Sequence, residues 1–297
     1  MATPRQPQTQ SLEIAMSAYL RTLEGRNRSS ATILAYRTDI GQFIAWLRET
    51  NATVETPDDV ERLDVTEYLA HLADRGLSGV SRARKLAAIR EYFRYTKIEG
   101  LVNASPVEGV DTPKTEKRGR NYLTPEEYSR LLAAAGTNTR DYCILMTFLQ
   151  TGVRVSELCA LTLDDVDLEN KTLHVRVGKG MSARTIDLEK KGVQSLKSWL
   201  KVRPKAVSDR LFLNRDDEPL GERGVQKLLA KYCALAGITK RISPHSLRHT
   251  FASHKAEAGV SPFQLQQWLG HSSLDTTQIY VHLARKSAKK VMEATSL

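Results

Sequence analysis

Apolar residues recur at helical spacing along the first hundred positions. Ile33, Tyr36, Ile40, Phe43, Ile44 and Leu47 follow the cap candidates Ser29 and Ser30, and Val65, Tyr68, Leu69 and Leu72 follow Asp64. Leu86, Ile89, Tyr92 and Phe93 repeat the spacing, and a first helix is expected near Leu12–Leu23, which makes a small four-helix domain. Residues 1–10, rich in Gln, Pro and Thr, read as a disordered tail. "NASPVEGVDTPKTEKRGR" at 103–120 has Gly and Pro interruptions, then a basic run, and no apolar period. This places a helical domain at 11–112, a linker at 113–120 and a second domain at 121–297. The second domain opens on "LTPEEYSRLL", where Thr124 can cap, Pro125 suits the first helical position and Glu127 completes a capping box. Between Leu168 and Leu188 the period changes: "TLHVRV" and "ARTIDL" alternate as strands do, around a "GKG" turn. Helical patterns resume through about residue 290, broken by glycine-containing turns at 219–224, 237, 259 and 270. No internal repeat or low-complexity tract interrupts them. The expected fold is mainly α with a small antiparallel β-sheet, in two domains.

Composition changes this picture in one respect. Of 297 residues, 41% are hydrophobic and 26% charged, enough for two globular cores, but the net charge is +10 and the pI near 9.5. Residues 1–112 hold 14 Lys and Arg against 15 Asp and Glu, whereas 113–297 hold 30 against 19. The excess lies in the second domain, and a polyanion is the natural partner. Cys143, Cys159 and Cys233 are far apart, with neither a disulfide framework nor a zinc knuckle in their spacing, which fits a reducing compartment. The polar start has no apolar leader core, and the longest apolar stretch, "YCILMTFL", is far too short to span a bilayer. A protein neither exported nor membrane-embedded is expected.

The near-neutral first domain is polarised. Its acids gather in 49–74, whereas "SRARKLAAIREYFRYTK" at 81–97 carries Arg82, Arg84, Lys85, Arg90, Arg94 and Lys97 against one Glu. Arg90, Arg94 and Lys97 fall at i, i+4 and i+7, beside the apolar Leu86–Ile89–Phe93 stripe. Such a face is either a solvated helix surface or a grip on DNA phosphates.

"SPHSLRHTFA" at 243–252 raises the question of chemistry. His245 and His249 stand four apart, as in H-E-x-x-H, but Ser246 replaces the glutamate that would act as base. Arg248 between them disfavours a dication and favours a phosphate, so no metal is expected. A second arginine, Arg154 in "TGVRVSEL", sits at an expected buried turn and can pair with Glu157 in a structural i,i+3 contact or bind a phosphate bidentately.

Five motifs in order, "TGVRVSEL", "GKG", "HSLRH", "LGH" and "TTQIYVH", together resemble the tyrosine recombinases, the family of phage-type integrases, the Xer proteins and Cre. "ATILAYRTDIGQF", "REYF", "EG…NASP" and "LTPEE" extend the similarity over nearly the whole chain, without an additional arm-site domain in front. The resemblance implies a SAM-like helical core-binding domain and a mixed α/β catalytic domain, forming a clamp around DNA. It implies a catalytic set of Arg154, Lys179, His245, Arg248 and His271, with Tyr280 as nucleophile and Glu157 in support. The hairpin departs from the pattern in one place, with Ser182 where relatives often carry a second lysine.

In the chemistry this implies, a tyrosine oxygen conserves the energy of the broken strand in a 3′-phosphotyrosyl ester that another strand's 5′-hydroxyl can reverse. Arg154 and Arg248 would hold the non-bridging oxygens and the extra charge of the transition state. His245 would take the tyrosine proton, His271 would hydrogen-bond the phosphate, and Lys179 would protonate the departing 5′ oxygen. No cofactor is implied. The implied partner is a double-stranded DNA recombination site held by a homotetramer, or a heterotetramer with a related recombinase, joined through the C-terminal tail. The implied location is cytoplasmic and nucleoid-associated. Two rival readings are a type IB topoisomerase, relaxing DNA as a monomer, and a catalytically silent accessory protein that binds a DNA site.

Overall fold

The structure is a computed structural model in which residues 10–115, 122–176 and 183–270 are described. The chain divides into two compact units, Met1–Arg118 and Gly119–Leu297.

The first unit holds helices α1 (Leu12–Gly25), α2 (Ser30–Thr50), α3 (Arg62–Asp74) and α4 (Gly79–Ile98), with a 3₁₀ turn at Pro57–Asp59. Serine side chains start three of them: Ser11, Ser29 and Ser78 accept from the backbone N–H of Ile14, Thr32 and Ser81. At α3 the expectation shifts by one turn. Glu61 is the N-cap residue, and Asp64 serves as its partner, accepting the Glu61 N–H at 2.8 Å. The apolar stripes meet in one core around Phe43, Tyr68, Tyr92 and Phe93, whose rings contact each other edge-on. Burying Phe43 and Phe93 contributes about 1.5–3 kcal/mol each.

In the second unit are α5 (Pro125–Ala135), α6 (Thr139–Thr151), α7 (Val155–Ala160), α8 (Lys190–Val202), α9 (Glu222–Leu235), α10 (Pro244–Glu257) and α11 (Pro262–Leu269). A three-stranded antiparallel sheet lies among them, in the order β1 (Val166–Asp167), β2 (Thr172–Val175), β3 (Arg184–Asp187). The expected strand pair is thus present, with Leu173 opposite Ile186 and Val175 opposite Arg184, while the expected "GKG" turn lies outside the described residues. Helix α5 starts as expected: Thr124 Oγ1 accepts the Glu127 N–H, and the Glu127 carboxylate accepts the Thr124 N–H. Helix α6 is the centre. Residues Cys143 to Thr151 are all buried, since α5, α8 and α10 pack around it, and a helix apolar on every side can sit only there.

Helix does not run continuously from α8 to α9. Pro204 stops α8, the Arg203 guanidinium donates to the loop carbonyls of Ser208 and Arg210, and Trp199 Nε1 donates to Leu211 O at 2.9 Å. The segment that opens the second unit is fastened to α10. Leu123 N donates to Thr250 Oγ1 at 3.0 Å, and its carbonyl meets His254 Nε2 at 2.9 Å. Among the described residues no helix is long and apolar enough to cross a membrane.

Candidate active site

The end of α6 makes the first wall. Gly152 terminates the helix at φ 61°, a left-handed conformation open to glycine, and a side chain there would collide with Phe251, with Cδ1 2.4 Å from a Cβ. The chain turns sharply through Val153 and delivers Arg154 to the start of α7. Glu157, one turn on, accepts the Arg154 backbone N–H at 2.8 Å and its Nη1 at 3.0 Å.

The structural reading of this pair holds, though not for this pair alone. The ion pair exists, but Glu157 has a second and closer grip from Arg184 on β3, whose Nη1 and Nη2 reach Oε1 and Oε2 at 3.0 and 2.7 Å. Burial pushes the Glu157 carboxyl up. The hydrogen bonds from Arg184 and the Arg154 backbone, with both guanidinium charges, outweigh it and hold the pKa at about 2. One carboxylate therefore faces two guanidiniums, and Arg154 keeps a third of its side chain open to solvent.

Helix α10 makes the second wall. Ser243 caps it, accepting from Ser246 N, and Pro244 takes the first helical position. Arg248 is buried at 4% exposure. Its Nη1 donates to the Gly152 carbonyl at 2.9 Å and its Nη2 to the Leu269 carbonyl at 2.7 Å. The guanidinium thus bridges the turn that carries Arg154 and the end of α11. Its neighbour His245, one turn earlier on the same side of α10, is exposed. His249 packs edge-on against His245, ring centroids 4.8 Å apart.

The end of α11 closes the arrangement. Trp268 O accepts from Arg184 Nε at 2.7 Å, Leu269 O accepts from Arg248, and Gly270 ends the helix at φ 62°. The structure therefore gathers Arg154, Glu157, Arg248 and, one turn away on α10, His245. Lys179, His271 and Tyr280 lie outside the described residues. Among the described residues no three His, Cys, Asp or Glu side chains come together as a metal ion would need.

Sequence reasoning missed Arg184. The signal was present, because strand alternation puts Arg184 on the same face as Ile186, whose side chain faces the core. A cation at an inward position demands a partner.

The basic helix of the first unit is less open than its stripe implied. Lys85 is not on the surface: it shares a face with Ile89 and Tyr92, is buried, and bonds Asp39 and Gln42. Arg84, half exposed, clasps the same Asp39 through both terminal nitrogens. Arg90 donates to Val110 O and Thr112 Oγ1, Arg94 pairs with Glu91, and Lys97 lies 4.0 Å from Glu108. Arg82 is part-buried at the first turn of α4, its Nε enclosed.

Comparison with known proteins gives a consistent result. Residues 121–287 match the model of the phage integrase family, and residues 16–100 match the phage integrase N-terminal SAM-like domain. A tyrosine recombinase of Pseudothermotoga lettingae is 35% identical over 260 residues, covering 87% of this chain and 89% of its own. Tyrosine recombinase XerC of Pelotomaculum thermopropionicum is 34% identical over 291 residues, 92% of this chain and 94% of its own. Among solved structures, the Tn1549 transposon integrase in complex with transposon right end DNA superimposes with a TM-score of 0.77 at 22% identity. The superposition covers 94% of this chain and 98% of that one.

Proposed function

This chain belongs to the phage integrase family, and we propose from that premise that it is a tyrosine site-specific recombinase whose phosphate pocket is built by Arg154, Arg248 and His245. The observation that carries the proposal is the convergence of the two arginines. One sits on the turn that follows α6, and the other donates to the carbonyl of that same turn. A scissile phosphate seated there meets cations held by fixed partners, so no reorganisation is needed as the pentacoordinate charge develops.

In the proposed reaction Tyr280 Oη attacks the phosphorus and loses its proton to His245. The bond to the 5′ oxygen breaks, and that oxygen takes a proton from Lys179. His271 donates a hydrogen bond to a non-bridging oxygen. The 3′-phosphotyrosyl ester conserves the bond, and the 5′-hydroxyl of a partner duplex reverses the step. An exposed His245 suits a base that must reach a nucleophile arriving with DNA. The substrate is a double-stranded recombination site, contacted in the first unit through α4. Assembly as a tetramer on two duplexes, joined through the tail from Arg285 onward, completes the proposal.

A nicked duplex carrying the site tests the reading, because the nick lets a short product diffuse away and traps the ester. Wild type is expected to give a denaturant-stable protein–DNA adduct. Tyr280→Phe is expected to bind the site with unchanged affinity and give none, and a persisting adduct would remove the assignment. Efficient relaxation of supercoiled plasmid without the site, by monomers, would favour topoisomerase chemistry instead.

A further inference from the structure

Arg184 is enclosed, with 8% of its side chain exposed, and each of its three nitrogens has a partner. Inward positions of a small sheet are filled at lowest cost by residues such as Ile186, two positions on, since a buried cation forfeits its hydration. The fork of Arg184 has a defined shape. Nη1 and Nη2 span both oxygens of Glu157, while Nε reaches the Trp268 carbonyl on α11. Glu157 passes this constraint on, through its bonds to the backbone and guanidinium of Arg154. Gly270 also backs onto the fork: a Cβ there would lie 3.0 Å from Nη1. Val175 and Arg184 form the last described pair of the hairpin, and the connection between them in sequence contains Lys179. One guanidinium thus links, through Glu157, the turn bearing Arg154 to β3 and to Trp268 of α11, three residues before His271 in sequence.

We infer that Arg184 is a positioning residue for strand cleavage, which fixes Glu157, and through it the aim of Arg154, while anchoring the end of α11. This rests on the recombinase reading of the pocket. Lysine keeps the charge but cannot span two carboxylate oxygens and a carbonyl in a plane, so the inference predicts that shape, beyond charge, is required.

The test is single-turnover cleavage of the nicked duplex by full-length Arg184→Lys and Arg184→Met, with site affinity and thermal melting measured on the same preparations. Arg184→Lys is expected to lose about 10–100-fold in cleavage rate while affinity stays within about twofold, as a misaimed group costs rate rather than binding. Arg154→Ala combined with Arg184→Lys is expected to lose little more than Arg154→Ala, because the second residue acts through the first. A mere strut would lower melting and leave the rate per folded molecule unchanged. Wild-type cleavage by Arg184→Lys, or losses that multiply in the double variant, would overturn the inference. Should Arg184→Met fail to fold, Arg184→Lys and Glu157→Gln decide by the same rate and affinity measurements. Tyr280→Phe runs alongside. An adduct there defeats the recombinase reading, whereas no adduct there together with a wild-type rate in Arg184→Lys defeats the positioning role alone.

Discussion

The candidate site of the second unit and helix α4 of the first both concentrate arginine, yet they hold it in different ways. In the pocket, Arg248 is gripped at Nη1 and Nη2 by carbonyls, which fix a guanidinium without cancelling its charge. Glu157, the carboxylate there, is divided between Arg154 and Arg184. On α4 the cations meet acids or cover the surface of their own unit: Arg84 and Lys85 share Asp39, Arg94 meets Glu91, and Arg90 staples Val110 and Thr112. Dipoles and a shared carboxylate leave a fixed excess of positive charge. Acid pairs leave charge that is largely offset and spread over a surface. Preorganisation for a transition state requires the first arrangement, and tracking a duplex requires only the second.

The contrast can be broken from the side of α4 by removing the acid. Asp39 is 2% exposed and neutralises a lysine that lies on the apolar stripe. Asp39→Ala should destabilise the first unit by about 3–5 kcal/mol, read as a fall in denaturant or thermal midpoint, since it leaves Lys85 buried without a counter-charge. In the pocket, Arg154→Ala should lower single-turnover cleavage by about 10²–10³-fold, the usual cost of one fixed donor to a developing oxyanion, with affinity for the site nearly intact. Arg84→Ala should do the reverse: cleavage of saturated complex unchanged, binding weaker, and the slope of log K against log salt reduced by about 1. Arg94→Ala, which breaks an exposed pair, should change stability by less than about 0.5 kcal/mol.

Acid tests the Glu157 cluster as well. Glu157 has its folded pKa depressed to about 2, so its contribution to stability is complete above the ordinary carboxylate range near 4.5 and is lost as pH falls through about 2. Melting followed from pH 5 to pH 2 should show this loss in wild type, and Glu157→Gln should flatten it.

Much of the architecture was legible where local chemistry decides it. Thr124, Pro125 and Glu127 announce the start of α5, and the alternation of 172–177 and 183–188 announces the hairpin, because caps and strand period need only nearby residues. The candidate site was legible as a set of polar side chains at unusual places, and the fold brings Arg154, Glu157 and Arg248 of that set near one another. What escaped notice depended on long-range partners. Lys85 looked like one more cation of a basic run, and Asp39, 46 residues earlier, is what permits its burial. Arg184 looked like an ordinary strand residue, and only the fold brings Glu157 and Trp268 to its fork. The irregular path from Arg203 to Gly221 followed from a backbone bonding pattern that no apolar period encodes.

Arg248 gives the most direct test, because a buried guanidinium bonded to two carbonyls could also be a simple brace between α6 and α11. Cleavage by wild type and Arg248→Ala can be compared on nicked sites carrying either the natural scissile phosphate or a methylphosphonate, which lacks one non-bridging charge. If the guanidinium neutralises that charge, Arg248→Ala should lose about 10²–10³-fold on phosphate and recover most of it on methylphosphonate. Equal inactivity on both substrates would make Arg248 a brace and contradict the phosphate pocket.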